Sequence, residues 1–193
     1  GAAMFELACL DIKNHDYETA LQKLEESIGL NKGHTKAQNL KTAVLRRLNN
    51  GMAKAQAEIN VKEDLLDLFS KIEYSYFADN GEDIEQFNAK AENVLDVACD
   101  YIKAGLFEDA LYALNIYNGE YPLIEYYKAY CMAMAGENAA AFIAKAEALD
   151  TGYCFPSRLE DIAVLQYAIN SEKNAANACY YLGALYYDRF RYD

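Results

Sequence analysis

The feature that most constrains this chain is a local pattern that recurs around Ala20, Ala110 and Ala141. Each alanine has a small residue twelve positions before it and a turn residue or Gly about five before it. The stretch Ala8-Cys9 to Tyr17 to Ala20 lines up with Ala98-Cys99 to Phe107 to Ala110. A small–aromatic–small spacing recurring at about 34 residues is what antiparallel helices need to cross closely, pair after pair. The expected architecture is therefore all-α: a helical solenoid of antiparallel helix pairs.

Composition agrees with helix. The 193 residues include only 2 Pro, valine and threonine are scarce, and Ala, Leu, Glu and Lys abound. The net charge of −12 argues against nucleic acid, which calls for a basic stripe, and against anionic membrane surfaces. No apolar run reaches the ~18 residues that span a bilayer. The opening Gly1-Ala-Ala-Met-Phe-Glu6 has no signal-peptide pattern, so a cytoplasmic location is expected. The five cysteines, Cys9, Cys99, Cys131, Cys154 and Cys179, have no short metal-ligand spacing. With His15 and His34 as the only histidines they read as small buried hydrophobes, and no metal or cofactor is expected.

Helical periodicity divides the chain into a single array. Repeat 1 covers 1–34, with Phe5, Leu7, Ala8 and Ile12 facing Ala20, Leu21, Leu24 and Ile28 across a turn at Asn14-His15-Asp16. A degenerate repeat 2 covers 35–61, with Ala53 as its anchor. A spacer helix falls in 62–80, centred on the amphipathic run Asp64 to Phe77 with Asp64 as its cap, and Ala78-Asp-Asn-Gly81-Glu breaks it off. Repeat 3 covers 91–121 and repeat 4 covers 122–152. A second spacer helix spans 156–170, opened by a capping box of Ser157 and Glu160. A truncated repeat 5 fills 176–193. Intervals between anchor alanines alternate short and long, so the larger block is two helix pairs plus one spacer.

These residues resemble the tetratricopeptide repeat (TPR) family. The third unit carries Val94, Val97, Ala98, Tyr101, Gly105, Phe107 and Ala110; the fifth carries Cys179, Leu182, Gly183, Tyr186 and Tyr192. The first carries Leu7, Ala8, Tyr17, Ala20 and Leu24, with Asp11 where the family has Tyr. The resemblance implies a right-handed superhelical solenoid in which Ala8, Ala20, Ala53, Ala98, Tyr101, Gly105, Ala110, Ala141, Gly183 and Tyr186 hold structural repeat positions. Ala20, Ala98, Ala110 and Gly183 are expected to be buried at helix crossings. A further resemblance lies in Tyr121-Pro122 to Tyr130, Phe155-Pro156-Ser157-Arg158-Leu159-Glu160 and Tyr180-Tyr181-Leu182-Gly183. These strings are similar to the helical tails of large Bacteroidetes proteins that carry an N-terminal β-rich domain of unknown function and look connected with carbohydrate metabolism. That likeness implies that the chain is a fragment of a longer bacterial protein.

In such an array the first helix of each pair lines a concave groove. The matching positions are Phe5, Cys9 and Lys13; Gln38, Thr42 and Arg46; Leu95, Cys99 and Lys103; Tyr126 and Tyr130; Tyr180 and Tyr187. Basic side chains mixed with tyrosines suit an extended peptide or a sugar surface. A carboxylate clamp of the chaperone-binding kind is not expected, because only Asn39 matches its pattern. The acidic pairs Glu25-Glu26, Asp64/Asp67, Glu82-Asp83 and Glu160-Asp161 read as solvated faces or helix starts, and no catalytic residue is expected. The functional expectation is a non-catalytic protein–protein interaction scaffold within a larger bacterial protein. The alternative is a repeat region forming one wall of a carbohydrate-active or carbohydrate-binding parent. The expected partner is a protein, a peptide or another domain of the same chain, and the expected state is a monomer or weak dimer. The last helix, with Leu182 and Tyr186, is expected to rest on the second spacer near Leu165 and Tyr167.

Overall fold

The computed structural model describes residues 1–64, 66–77, 89–172 and 174–189. Among them it contains eleven helices and no strand. The helices are α1 (Ala2–Lys13), α2 (Tyr17–Leu30), α3 (Thr35–Arg47), α4 (Met52–Glu63), α5 (Leu68–Ser75), α6 (Ala91–Lys103), α7 (Phe107–Asn115), α8 (Pro122–Met134), α9 (Ala140–Ala148), α10 (Leu159–Ser171) and α11 (Ala176–Asp188). The chain is all-α. It divides into two compact units, 1–106 and 107–193, and the boundary falls inside the range expected for repeat 3. The break expected at 78–82 and the motif residue Tyr192 lie outside the described residues.

Four inter-helix turns share one geometry. His15, Asn49, Gly105 and Gly136 each adopt positive φ, at 60°, 50°, 75° and 81°. The N–H of each bonds to a carbonyl three residues back, and the next N–H reaches five back: Asp16 to Asp11, Asn50 to Leu45, Leu106 to Tyr101, Glu137 to Met132. This double bond closes the helix end by satisfying carbonyls that would otherwise lack donors. At Gly105 the absence of a side chain also matters for packing. A Cβ there would stand 2.8 Å from Lys13 Cγ.

In the first unit α1 pairs with α2, α2 with α3 and α3 with α4, while α5 lies against both α3 and α4 and touches α6. In the second, α7 packs on α8, α8 pairs with α9, and α10 lies against α8 and α11, with α11 reaching α9. The last helix therefore has a partner. Leu165 of α10 is fully buried, and Gln166 donates to the Tyr186 hydroxyl at 3.2 Å. Leu182 and Tyr186 are half-buried.

The anchors Ala8, Ala20, Ala98 and Ala110 are fully buried, and Ala53 and Tyr101 are buried too. Two expected positions are corrected. Ala141 is exposed, because α9 begins at Ala140 and its inward face is Ile143 and Ala146. Ala20 and Ala110 are the fourth residues of α2 and α7, and in α9 that place falls to Ile143. Gly183 is exposed as well, because α11 turns Ala178, Tyr181 and Leu185 inward. Two substitutions in the second unit should therefore have opposite signs. Ala110→Leu forces volume into a filled contact and should lower stability by about 1–3 kcal/mol. Gly183→Ala adds a methyl group to a helix position with nothing within 4 Å and should raise it by about 0.5–1 kcal/mol. Urea midpoints check both, and a destabilising Gly183→Ala would mean that the face is covered.

The spacer caps are also corrected. α5 begins at Leu68, and Asp67 rather than Asp64 caps it, accepting from the Ser70 N–H at 2.9 Å. Asp64 instead ends α4 and folds the link into a turn, accepting from Leu66 and Asp67 N–H. At α10 the reciprocal carboxylate is Asp161, not Glu160. Its Oδ2 accepts from the N–H groups of Ser157 at 2.7 Å and Arg158 at 2.8 Å. Glu160 stands one residue too early along the helix to face those donors.

Candidate interaction surface

In the first unit the basic residues expected to face a ligand are joined to the chain's own carboxylates. Arg46 of α3 makes a two-bond fork with Glu73 of α5, both bonds at 3.0 Å, and lies 3.7 Å over the Tyr76 ring. The Tyr101 hydroxyl of α6 donates to the same carboxylate at 2.5 Å. Lys103 pairs with Glu6 of α1 at 2.5 Å and sits 5.7 Å above the Phe5 ring. That pairing raises the Lys103 pKa through the Glu6 hydrogen bond. Lys36 of α3 pairs with Asp100 of α6 at 2.7 Å. Burial raises the Asp100 pKa against this opposing contact. Lys13 is exposed and packs its stem against Gly105.

The face that the repeat pattern turns toward a ligand is thus covered by α6 over Phe5 and Cys9, which are buried. Its register against α1, α3 and α5 is set by Glu6, Lys36 and Glu73. Thr42, Leu95 and Cys99 are buried, and Gln38 is half-buried with its amide on the Lys32 carbonyl. Asn39, the one clamp-like residue, is fully buried. It donates to Asp67 at 2.8 Å and accepts from Asn60 and Ser70. Its amide therefore joins α3, α4 and α5.

The second unit uses carboxylates in the same way. Tyr127 of α8 is fully buried and donates to Asp161 at 2.6 Å. Tyr126 is fully buried and donates to Glu147 of α9 at 2.5 Å, so its ring has no face for a ligand. Burial and this contact with a carboxylate push the Tyr126 hydroxyl pKa well above the usual tyrosine range. Glu147 also accepts from the N–H groups of Asn177 at 2.8 Å and Ala178 at 3.1 Å. It caps α11 across the fold, since Ala175 at the cap position has no side-chain oxygen. Tyr130 is half-buried, with its ring edge-on to Phe107 and Tyr167.

Two of the tyrosines expected to meet a ligand are open. Tyr180 and Tyr187 on α11 are 61% and 72% exposed. Beside them the loop between α9 and α10 carries Tyr153 at 92% and Phe155 at 71% exposed, followed by Leu159 at 78%. All five are large apolar side chains exposed to solvent. The sequence reading missed Tyr153, Phe155 and Leu159 as surface residues. Phe155 and Leu159 flank the expected cap, and nothing local marks Tyr153 as exposed. A shallow cleft of about 470 Å³ lies elsewhere on the unit, lined by Ala140, Ala141, Ile143, Ala144, Glu147, Glu172 and Asn174.

Cys9, Cys99, Cys131 and Cys154 are buried and Cys179 is exposed. Burial, with the nearby Glu6 carboxylate adding to it, pushes the Cys9 thiol up to about 11. Iodoacetamide at neutral pH should therefore label Cys179 first, with the other four reacting only after denaturation. Early mass-spectrometric labelling at Cys9 would show that α6 opens away from α1.

Among the described residues no group of three or more His, Cys, Asp or Glu could hold a metal ion, and no helix is long and apolar enough to cross a membrane. Compared with known proteins, the chain matches no family model and no curated protein.

Proposed function

We propose that the chain is a non-catalytic protein–protein interaction scaffold of TPR-like helix pairs within a larger bacterial protein. The observation that carries this reading is the set of exposed aromatic side chains Tyr153, Phe155 and Tyr180 in the second unit. Apolar surface of this kind on a folded unit marks a place where a partner lands. The carboxylates Glu73 and Asp161 are buried and hold helices together. The repeat assignment is supported by the shared turn geometry at His15, Asn49, Gly105 and Gly136 and by the buried alanine anchors.

Selection of a displayed random-peptide library against the folded chain tests the proposal. Enriched peptides should bind the purified chain, and their cross-links should map to one face. The chain should have no effect on a panel of chromogenic glycosides. If no peptide enriches while soluble oligosaccharides perturb its tyrosine fluorescence, the scaffold reading fails, and a wall of a carbohydrate-binding parent takes its place.

A further inference from the structure

We propose that Lys128 of α8 is a modification site, an amine that accepts a short acyl group from an acyl thioester. The inference goes beyond the scaffold reading and does not depend on it.

The second unit puts two ammonium groups on one buried carboxylate. Glu125 and Lys128 stand one turn apart on α8, and both are buried. Lys145 reaches across from α9, and its Nζ donates to Glu125 Oε1 at 2.9 Å. The Lys128 Nζ stands 3.6 Å from the same oxygen, too far for a hydrogen bond. It has no other ion pair and no hydrogen bond among the described residues. The second carboxylate oxygen, Oε2, is buried and has no hydrogen-bond partner. Lys145 can exchange its partner for water, since its side chain is 56% exposed. The Lys128 side chain is only 10% exposed, although its Nζ still reaches solvent.

One carboxylate serves two ammonium groups poorly where water is scarce. Burial is the largest influence on the Lys128 amine. Together with repulsion from Lys145 it outweighs the attraction of Glu125, so the pKa lies below the ordinary lysine value. An ordinary lysine is neutral in only about one molecule per thousand near neutral pH. The neutral amine is the form that attacks a carbonyl carbon, and Lys128 holds more of it. In the proposed step the Nζ lone pair attacks the thioester carbonyl. The C–N bond forms, the C–S bond breaks, and the proton lost from nitrogen leaves with the sulfur as a thiol. The amide product is neutral. It leaves Glu125 and Lys145 as a one-to-one pair and keeps an N–H for the carboxylate. An imine from an aldehyde would carry positive charge back onto the nitrogen, so the cluster favours an acyl donor. The narrow opening favours a short acyl chain.

The test incubates the full chain with N,S-diacetylcysteamine at neutral pH. Site-resolved mass spectrometry then gives the initial acetylation rate at each lysine. Lys128 should react about tenfold faster than the exposed Lys54 and Lys62, and the excess should vanish in concentrated urea. Lys145→Gln removes the repelling ammonium and should slow Lys128 several-fold, an effect that access alone would not produce. Lys128→Gln carries a neutral amide like that of the modified state and should melt no lower than wild type. A Lys128 rate at or below that of Lys54 overturns the proposal. An excess that persists in urea, or that ignores Lys145→Gln, overturns it too, because the cluster is then not its cause. A lower melting temperature for Lys128→Gln also overturns it, since the ammonium is then a structural partner of Glu125.

Discussion

Replacing Arg46 by methionine is expected to lower the unfolding free energy of the first unit by about 3–5 kcal/mol. The reason lies in what remains. Glu73 is fully buried, and the substitution removes both guanidinium bonds at 3.0 Å while the Tyr101 bond stays. A buried carboxylate that loses its cation retains its desolvation cost without the compensating attraction. Arg46→Lys keeps a charge but not the planar fork, so its loss should be smaller. The double substitution Arg46→Met with Glu73→Leu should recover part of the loss, because two apolar side chains replace the ion pair. Urea unfolding of the single and double variants measures the coupling. A loss below about 1 kcal/mol for Arg46→Met would mean that groups other than Arg46 compensate the Glu73 carboxylate.

The second large effect is expected at Glu147. Glu147→Ala should cost about 2–4 kcal/mol in the second unit, because one carboxylate serves a buried tyrosine hydroxyl and two helix-end N–H groups at once. Glu147→Gln keeps one acceptor oxygen and should lie between alanine and wild type. Hydrogen exchange should locate the effect, with Asn177 and Ala178 losing protection first. The aromatic surface would move with the start of α11, so peptide binding should weaken in the same variant. If exchange at those two amides is unchanged, the helix end is held by the Asn177 side chain instead, which donates to the Glu147 and Leu149 carbonyls.

The buried anchors show how far local pattern reaches. Ala20, Ala98 and Ala110 were legible because each sits at a fixed distance from a turn whose chemistry is visible in sequence. Ala141 and Gly183 followed the same spacing and still came out exposed. In α9 the helix start is displaced relative to the turn, and in α11 the inward face follows α10. The caps failed for a related reason. Asp64 with Asp67, and Glu160 with Asp161, are near neighbours of the same chemistry. Which one caps depends on where the first helical turn begins, and that is set by Asn39 at one end and Tyr127 at the other.

The sequence by itself determined helix content, the polar and glycine turns, and the small residues that let helices approach. These follow from backbone preference and from periodicity within a dozen residues. Only the tertiary structure decided which of the side chains expected to line a groove stay exposed. Lys103 meets Glu6 across 97 positions, and Arg46 meets Glu73 across 27. No local signal distinguishes a lysine or arginine that will find such a carboxylate from one that will face solvent. Burial of the expected ligand-facing side in the first unit is a property of where α6 docks, and the exposure of Tyr180 and Tyr187 is a property of which face α10 takes. Both are settled by long-range packing, where side chains far apart in sequence compete for the same surface.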